Sequence, residues 1–537
     1  MKRLLPFYIG LAILLSPALI MSGCQADETL ESDDLDFPAW QKYASEEITL
    51  SWYVHYSWFS TSWGDNLVAR TITEETGVSI DFVPVSGNEV EKLAAMISSN
   101  SLPDLITIGF WEAQTEQLIS GGHVYPLNEL ADEYDLYFWE VANPQRVGWY
   151  TRDNGNIYAY PNSSYTPSDY EIYDNIASNQ AFLVRADIYR AIGSPDMTTP
   201  EGFKQAIIDA FEYIPEVGDK PLLAIGLGDF NTDGCHSLDD MLKNFLAIPF
   251  EKDGALYDRS TDPDYLIWLN TFRELHEEGY ISNDLFTDRR VQTVEKVVEG
   301  RYFCMLYQHT DIGDQQTHLY NTDPDCTYIA IDGPRNSKGD KHTLPGSGIN
   351  GWTVTMISKN CKAPERAIAL LSYMMSEHGQ KILYCGIEGV TYETDADGKP
   401  FFHEDVLELL SRDRVEYNSL YGADNTYWML QDLAMQNPWQ PPAQPPLAQP
   451  REWTYQYTVY IPEYDIIITE PEAAAADLRI REEWGHLLPL LLTAPSKEEF
   501  DQLIDSFVEK RAELGFDIVT SEQIRLIQEA KSRLGFE

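Results

Sequence analysis

Four side chains between residues 229 and 240 have the oxygen atoms and the spacing of an EF-hand calcium loop. Oxygen ligands at alternate positions, and a glycine such as Gly234 for the sharp turn, are what a hard cation requires. The last ligand position holds an aspartate, which is too short for easy bidentate contact. Two interpretations therefore stand, a calcium site or an ordinary polar surface loop. The candidate ligands are Asp229, Asn231, Asp233 and Asp240.

A glycine-rich stretch at residues 346–351 matches the GxGxxG pattern of dinucleotide sites. Such a site needs its glycines after a strand and before a helix. A strand-like run at 352–357 follows instead, so a nucleotide site is not expected. We interpret Gly346, Gly348 and Gly351 as a hinge, because glycine absorbs changes in φ and ψ.

The sequence shows no sign of a catalytic nucleophile. The GxSxG and HExxH motifs and a Cys–His arrangement are all absent. Glycoside hydrolysis needs two carboxylates at a fixed separation, but a chain with 86 Asp and Glu residues contains such pairs by chance. We therefore expect a protein that is not an enzyme and that has no cofactor, apart from the calcium considered above.

The amino-terminal residues have the order of an export signal. Lys2 and Arg3 precede a mostly apolar run at 4–21, and the small residues Ser22 and Gly23 precede Cys24. This ending resembles a bacterial lipobox, with Met21 where leucine is usual. We expect a signal peptide at 1–23, lipidation of Cys24 and a flexible tether at 24–47. The alternative is a plain transmembrane anchor, for which the run is barely long enough. Either places the body of the protein outside the cytoplasm.

The composition limits the partners. The chain has 537 residues, is 43% hydrophobic and carries a net charge of −48. Such a surface repels nucleic acid and anionic lipid, so neither is an expected partner. Five cysteines remain besides Cys24. An odd number with no CxxC spacing argues against a disulfide scaffold or a structural zinc site.

The elements that would position these residues alternate between strands and helices. Period-two patterns predict strands at 48–54 and 78–85, and an unbroken apolar run predicts a strand at 105–108 that is buried on both faces. Helical patterns at 66–76 and 88–97 separate them. The order β-α-β-α-β predicts a parallel α/β layer.

The carboxyl-terminal third contains a proline-rich stretch and two predicted helices. Residues 437–450 contain six prolines, which favours an extended polyproline-type crossing. Ser496 with Glu499, and Thr520 with Gln523, have the spacing of capping boxes. They predict the starts of the last two helices.

Several segments together resemble the family 1 extracellular solute-binding proteins, in particular the oligosaccharide-binding lipoproteins of ABC importers. The order and spacing hold over essentially the whole chain. The segments are 102–106, 121–130, 154–161, 183–187, 277–282, 376–380 and 384–392.

The resemblance implies a two-lobed α/β fold of the type II periplasmic-binding-protein kind, with crossing hinge segments and extra carboxyl-terminal helices. We expect crossings near 158–161, 345–351 and 386–390. The amino-terminal lobe would contain 48–160 with 346–386. The other lobe would contain 161–345 with 387–537. Many relatives carry a calcium loop at the position of residues 215–221, but its ligand set is missing here.

The resemblance also implies a monomeric receptor, lipid-anchored at the outer face of the membrane, that delivers an oligosaccharide to ABC permease subunits. Sugar rings present C–H faces that stack on aromatic side chains, and their hydroxyls need polar partners. Loops after strands and hinge positions supply such residues. The ligand-binding candidates are Trp58, Trp63, Trp111, Tyr160, Arg185, Trp352, Glu388 and Tyr392.

Arg185 and Glu388 are the candidates for hydrogen bonds to hydroxyls, or to the carboxylate of a uronate. Two other functions have the same signal and composition. One is a surface protein that binds polysaccharide without transport, and the other is a hydrolase acting on polysaccharide.

Overall fold

The structure, a computed structural model, describes residues 37–536. The expected signal peptide and Cys24 lie outside the described residues. The strands are β1 (Ile48–Val54), β2 (Val78–Val83), β3 (Leu105–Gly109), β4 (Tyr160–Pro161), β5 (Gln180–Arg185), β6 (Glu216–Val217), β7 (Lys220–Pro221), β8 (Leu223–Gly226), β9 (Phe230–Asn231), β10 (Gly234–Cys235), β11 (Glu251–Lys252), β12 (Ala255–Leu256), β13 (Tyr302–Gln308), β14 (Tyr328–Ala330), β15 (Leu344–Pro345), β16 (Thr353–Ile357), β17 (Tyr392–Thr394), β18 (Pro400–Phe402) and β19 (Thr458–Val459).

Helices surround these strands, and none in the described part of the chain is long and apolar enough to cross a membrane. The α-helices are α1 (Ala39–Tyr43), α2 (Leu67–Thr76), α3 (Glu89–Ser98), α4 (Ala113–Ser120), α5 (Leu127–Tyr134), α6 (Phe138–Val141), α7 (Pro144–Tyr150), α8 (Pro167–Ile172), α9 (Ala186–Ala191), α10 (Pro200–Tyr213), α11 (Leu242–Phe245), α12 (Pro263–Glu277), α13 (Arg290–Val298), α14 (Gly313–Thr322), α15 (Pro364–Met375), α16 (Glu377–Cys385), α17 (Glu404–Arg412), α18 (Arg414–Leu420), α19 (Leu433–Gln436), α20 (Pro445–Tyr455), α21 (Pro471–Leu492), α22 (Lys497–Glu513) and α23 (Phe516–Leu534).

The first sheet has the strand order β2-β1-β3-β16-β4. β1 pairs in parallel with both β2 and β3, with Trp52 opposite Leu105. β16 returns antiparallel beside β3 and places Val354 opposite Ile108. Every residue of β3 is buried, because separate hydrophobic clusters cover the two faces of the sheet. The predicted parallel layer and the doubly buried third strand are both observed.

The second sheet has the order β14-β5-β13-β8. β13 runs parallel to β8 and antiparallel to β5. Its two faces also have separate clusters, one around Phe182 and Phe303 and the other around Leu183 and Met305. Each sheet therefore has its own core, which is the arrangement expected for two lobes.

The hydrophobic core of the first sheet includes residues from much later in the chain. Val406, Tyr417 and Met429 belong to the same cluster as Leu50 and Trp52. The sequence placed everything after residue 387 in the second lobe, and this packing differs from that expectation. Local patterns show that a helix is amphipathic but not which sheet its apolar face covers. We propose that the chain returns to the second lobe after residue 439, near the start of α20, which packs against β14 and β5.

The segment before β1 is not wholly a tether. α1 docks on the first lobe, with Ala39 buried and its backbone amide donating to Asp135 at 3.1 Å. The Trp40 ring meets Tyr373 edge to face at 5.0 Å. The two apolar side chains gain burial there, so the ordered body begins before Ile48.

The proline-rich stretch is partly helical, and the expected extended crossing is wrong for its second half. Pro445 and Pro446 occupy the first turn of α20, where backbone N–H groups have no helical partner. Gln449 fastens this helix to β14 by pairing with both backbone groups of Ala330. Pro450 is buried within the helix.

Helices form the carboxyl-terminal part of the second lobe. Ser496 caps α22, as predicted, by accepting from the amide of Glu499 at 3.1 Å. The predicted cap at Thr520 is wrong, because α23 already begins after Gly515, whose φ is +100°. The longest helix, α21, has no counterpart in the predicted elements.

Candidate functional site

Four aromatic rings stack at the edge where β1 and β3 both end. We call Tyr56, Trp58, Trp352 and Trp428 the aromatic platform. Trp352 and Trp428 have ring centroids 4.6 Å apart, and the rings of Trp58 and Trp352 are nearly parallel at 5.9 Å and 10°. Tyr56 stacks on Trp352 at 5.5 Å. The side chain of Trp58 is 49% exposed, so the platform is open to solvent.

The sheet topology explains why these rings meet. β1 and β3 are parallel, so their carboxyl ends share one edge, and β16 begins at that same edge because it runs antiparallel to β3. Tyr56 and Trp58 follow β1, and Trp352 immediately precedes β16. Trp428 comes from the late segment that joins this lobe. Ligands of open α/β sheets bind outside this edge.

Trp111 follows β3 at the same edge and is 45% exposed. Its ring lies perpendicular to Phe110 at 5.2 Å. The indole packs directly over Gly109, where any larger side chain would collide with it. Trp58 and Trp111 therefore lie beyond the carboxyl ends of β1 and β3, where the sequence placed them. Trp352, which was expected beside a hinge, lies at the same edge.

The neighbouring residue Glu112 faces the second lobe. Burial raises its pKa, and the charges of Glu89 and Asp233 raise it further. Asp233 lies in the second lobe, in the hairpin of β9 and β10 that follows β8. The charges of Glu112 in the first lobe and Asp233 in the second therefore act on each other.

Trp63 and Tyr160 lie in the core of the first lobe rather than in the site. Trp63 is 5% exposed and donates to the Thr73 hydroxyl at 3.0 Å. Tyr160 is 4% exposed, and its hydroxyl accepts from the amide of Asn143 at 3.0 Å. Both rings are buried among other protein side chains, so they are not part of the candidate site.

Arg185 is buried at the wrong end of its sheet for ligand contact. It forms a bidentate pair with Asp187, at 2.9 Å for both bonds, and donates to the carbonyl of Gly300. β5 runs antiparallel to β13, so the end of β5 lies at the amino end of β13. The expected contact from Arg185 to a sugar is therefore not supported.

Tyr392 and Glu388 lie together in a turn of the first lobe. Tyr392 is 7% exposed and belongs to a small cluster with Tyr384 and Trp439. Glu388 is exposed and forms an isolated bridge with Tyr392. The structure does not bring either residue to the aromatic platform.

The three hinge glycines lie where crossing segments meet. Gly351 has φ +70°, and a side chain there would collide with the carbonyl of Asn162. A side chain at Gly346 would collide with the hydroxyl of Tyr170, and one at Gly348 with Pro462. These glycines allow close approach of three backbone segments.

Hydrogen bonds join the same crossing segments. Asn162 accepts from the amide of Thr353 at 2.8 Å, and Ser164 donates to the carbonyl of Ile349 at 2.7 Å. The Asn350 side chain donates to the carbonyl of Asp465 at 3.0 Å. The segment of the expected hinge therefore also contacts a late segment, around Asp465, that the sequence did not indicate.

The calcium-like segment folds as a hairpin instead of a metal loop. β9 and β10 pair through a tight turn. The carboxylate of Asp233 pairs with Arg481 at 2.8 Å, and that of Asp240 pairs with His236 at 2.8 Å. Within residues 37–536, no group of three or more His, Cys, Asp and Glu side chains is arranged to hold a metal ion. Two of the four candidate ligands, Asp233 and Asp240, are therefore engaged in ion pairs.

Calcium is therefore expected to leave thermal stability unchanged. A ligand that binds only the folded state raises stability with its concentration. Millimolar calcium and millimolar EDTA, which removes calcium, should therefore give the same melting temperature. Magnesium at the same concentration is the control for ionic strength. A calcium-specific rise in the melting temperature would contradict this reading of the hairpin.

The chain is similar in sequence to known bacterial proteins. The family model described as "Bacterial extracellular solute-binding protein" matches residues 60–381. The fructooligosaccharide ABC transporter substrate-binding protein FusA of Streptococcus pneumoniae is 23% identical over 297 residues, covering 51% of this chain and 53% of FusA. The lipoprotein LipO of Bacillus subtilis is 21% identical over 335 residues, covering 60% of this chain and 63% of LipO. The matches thus span less than two thirds of either relative.

Solved structures show the same fold over most of the chain. FusA in complex with kestose superposes with a TM-score of 0.68 at 14% identity, covering 90% of this chain and 100% of that one. The alginate-binding protein AlgQ2 without calcium ion superposes with a TM-score of 0.67 at 18% identity, covering 90% and 98%. The expected two-lobed fold is confirmed.

Proposed function

Because the chain belongs to the bacterial extracellular solute-binding protein family, we propose that it captures an oligosaccharide between its two lobes and delivers it to an ABC permease. The aromatic platform is the observation that carries this proposal. Its exposed Trp58 ring offers an apolar face of the kind on which the C–H face of a sugar stacks. Trp111 supplies a second exposed indole at the same edge.

The mechanism is a ligand-biased equilibrium between open and closed lobes. A sugar that contacts the platform on one lobe and polar groups on the other stabilises the closed form by its differential affinity. The crossing segments around Gly351 connect the lobes, and we propose that they absorb the change in angle. This chain performs no chemistry on the sugar.

We propose that Cys24 is lipidated and holds the receptor at the outer face of the membrane. The tether then raises the effective concentration of the receptor near its permease. The named relative LipO, a lipoprotein, supports this proposal. We further propose that the receptor acts as a monomer without nucleic acid or a required cofactor.

A thermal-shift screen of oligosaccharides tests the proposed function. At a ligand concentration of about 100 times Kd, binding to the folded state adds about 2.7 kcal/mol to its stability. At least one tri- or tetrasaccharide of glucose, xylose, mannose or fructose is expected to raise the melting temperature. The matching monosaccharides are the controls for non-specific stabilisation.

Scattering and uptake measurements complete this test. The sugar that stabilises the protein should also reduce its radius of gyration, because the lobes close. Deleting the chain's gene should abolish uptake of that sugar. A protein that no soluble oligosaccharide stabilises, and that instead binds or cleaves polysaccharide, would be a surface binder or hydrolase.

A further inference from the structure

A polar cavity of about 260 Å³ opens at the carboxyl edge of the second sheet. It lies where β8 and β13 end. The hairpin that follows β8 also carries Asp233, whose charge acts on Glu112 of the platform lobe. Pockets for drug-sized ligands have volumes of about 300–1,000 Å³. This cavity therefore suits one sugar ring rather than a chain of them. Its ionisable and amide-bearing lining residues are Asp229, His236, Arg290, Tyr307, Gln308 and Asp311.

Three of the cavity's ionic groups already have partners. Arg290 and Asp311 form an ion pair at 2.8 Å. His236 pairs with Asp240 at 2.8 Å. Burial favours the neutral imidazole, but the hydrogen bond and charge of Asp240 prevail and raise the pKa of His236. The opposite charges within each pair largely cancel, so neither pair strongly attracts or repels a charged ligand.

Asp229 is different, because its carboxylate has no hydrogen bond or ion pair with any side chain or amide in the described part of the chain. It is only partly exposed and lies beside Tyr307, whose pKa its charge helps to raise. A hydroxyl-bearing ring can donate to this carboxylate, whereas a carboxylate on the ligand would be repelled. The cavity thus presents one uncompensated negative charge.

No cation in the described residues forms an ion pair with Asp229. The guanidinium of Arg290 lines the cavity but is paired with Asp311, and Arg289 donates to the carbonyl of Phe230. Arg185, the residue from which binding of a uronate was expected, is buried at the opposite end of the second sheet with Asp187. The nearby cation Arg481 is paired with Asp233. The chain as a whole carries a charge of −48, which adds a long-range repulsion of anions.

We propose that this cavity binds one uncharged sugar ring of the oligosaccharide and excludes uronic acids. Asp229 accepts hydrogen bonds from the ring hydroxyls, and Gln308 and the guanidinium of Arg290 donate to them. This inference rests on the proposed function, since it names the charge class of the sugar that the receptor takes. The platform on the other lobe would stack on the neighbouring rings.

Calorimetric titration of the full-length protein with neutral and acidic oligosaccharides of equal length tests the inference. The probes are tri- and tetrasaccharides of glucose, xylose, mannose and fructose, and trimers and tetramers of galacturonic and mannuronic acid. At least one neutral sugar is expected to bind, and every uronate to bind about 100-fold more weakly or worse, given the size of like-charge repulsion at close range.

The variant Asp229→Asn separates charge from shape, because asparagine has nearly the same size and still accepts a hydrogen bond. We expect uronate affinity to rise about 10-fold and neutral-sugar affinity to fall by less than about 10-fold. Asp219→Asn is the matched control. Asp219 lies in the β6–β7 turn, at the amino end of β8, far from the cavity. That variant should change neither affinity.

The outcomes distinguish this inference from the proposed function. Uronate binding as tight as neutral-sugar binding in the unaltered protein would overturn the inference and leave the proposed function standing. An unchanged ratio of the two affinities in Asp229→Asn would also overturn it. If no sugar of either kind bound, the proposed function and the inference would fail together.

Discussion

Replacing Arg146 with methionine is expected to lower the free energy of unfolding by about 3–5 kcal/mol, the usual cost of removing one partner from a buried ion pair. Arg146 is 3% exposed and forms a bidentate pair with Asp432, whose side chain is 16% exposed. It also donates to the carbonyl of Ser164 at 2.7 Å. The substitution leaves the Asp432 carboxylate buried without its countercharge.

Urea denaturation of the two proteins measures this loss. Arg412→Met is the matched control, because Arg412 is 63% exposed and lies 3.7 Å from Glu416. Exposed pairs of that kind contribute about 0–1 kcal/mol. Equal unfolding free energies for the two variants would contradict the assigned role of Arg146.

The loss should depend on pH with a definite sign. Burial favours the neutral acid, but the charge and hydrogen bonds of Arg146 outweigh it and lower the pKa of Asp432 below its ordinary value. A lowered pKa gives stability that is fully present above the unfolded value of about 3.9 and is lost as the pH falls through the folded value. In the variant, the Asp432 carboxyl is buried without a countercharge, which raises its pKa. The difference between the two proteins should therefore be largest where this carboxyl is ionised in both, and it should shrink as the pH falls.

Trp58→Ala is expected to weaken binding of the cognate oligosaccharide about 10- to 100-fold, as for an aromatic hot spot worth about 1.4–2.8 kcal/mol. The Trp58 ring is half exposed and nearly parallel to the ring of Trp352. It belongs to the aromatic platform at the carboxyl edge of the first sheet. Because it is half exposed, its removal should cost little stability. Trp111→Ala should also weaken binding of this oligosaccharide.

Titration calorimetry with the sugar found in the thermal-shift screen measures both effects. Trp139→Ala is the matched control, since Trp139 is 38% exposed but lies on α6, which packs against α15. It should bind as the unaltered protein does. If Trp58→Ala and Trp111→Ala both retained full affinity, the platform would not be the binding surface.

Much of the first sheet was predictable because its signals are local. Alternating or unbroken apolar runs identified β1, β2 and β3, and the helices between them implied parallel pairing. Parallel pairing in turn placed Trp58 and Trp111 at one edge. The structure agrees with each of these steps.

Elements were missed where local patterns conflict with packing. The prolines of residues 437–450 indicated extended chain, yet Pro445 begins α20, since the first helical turn tolerates proline. α21 was not predicted at all. Its apolar residues include Trp484, whose indole nitrogen donates to Asp239 at 2.7 Å, far away in the chain.

The sequence likewise indicated some residues of the candidate site and missed others. Trp58 and Trp63 are five positions apart in one loop, and nothing in that spacing shows that Trp58 is exposed while Trp63 is buried against Tyr427 at 4.6 Å. Trp428 gave no binding signal in the sequence, and Asp229 was indicated only as a candidate calcium ligand. Arg185 was expected to contact the sugar. In the structure it is paired with Asp187, and the antiparallel pairing of β5 places it at the other end of the sheet.

The sequence by itself determined the class of fold, the edge of the first sheet where aromatic residues gather, and the acidic character of the whole. These three properties follow from composition and from short-range periodicity, which can be read from each segment without knowing how the segments pack together. Only the tertiary structure decided which rings form the platform and which charges stay uncompensated. The platform joins segments around residues 56, 352 and 428, and burial and charge pairing across such distances depend on how the lobes fold together.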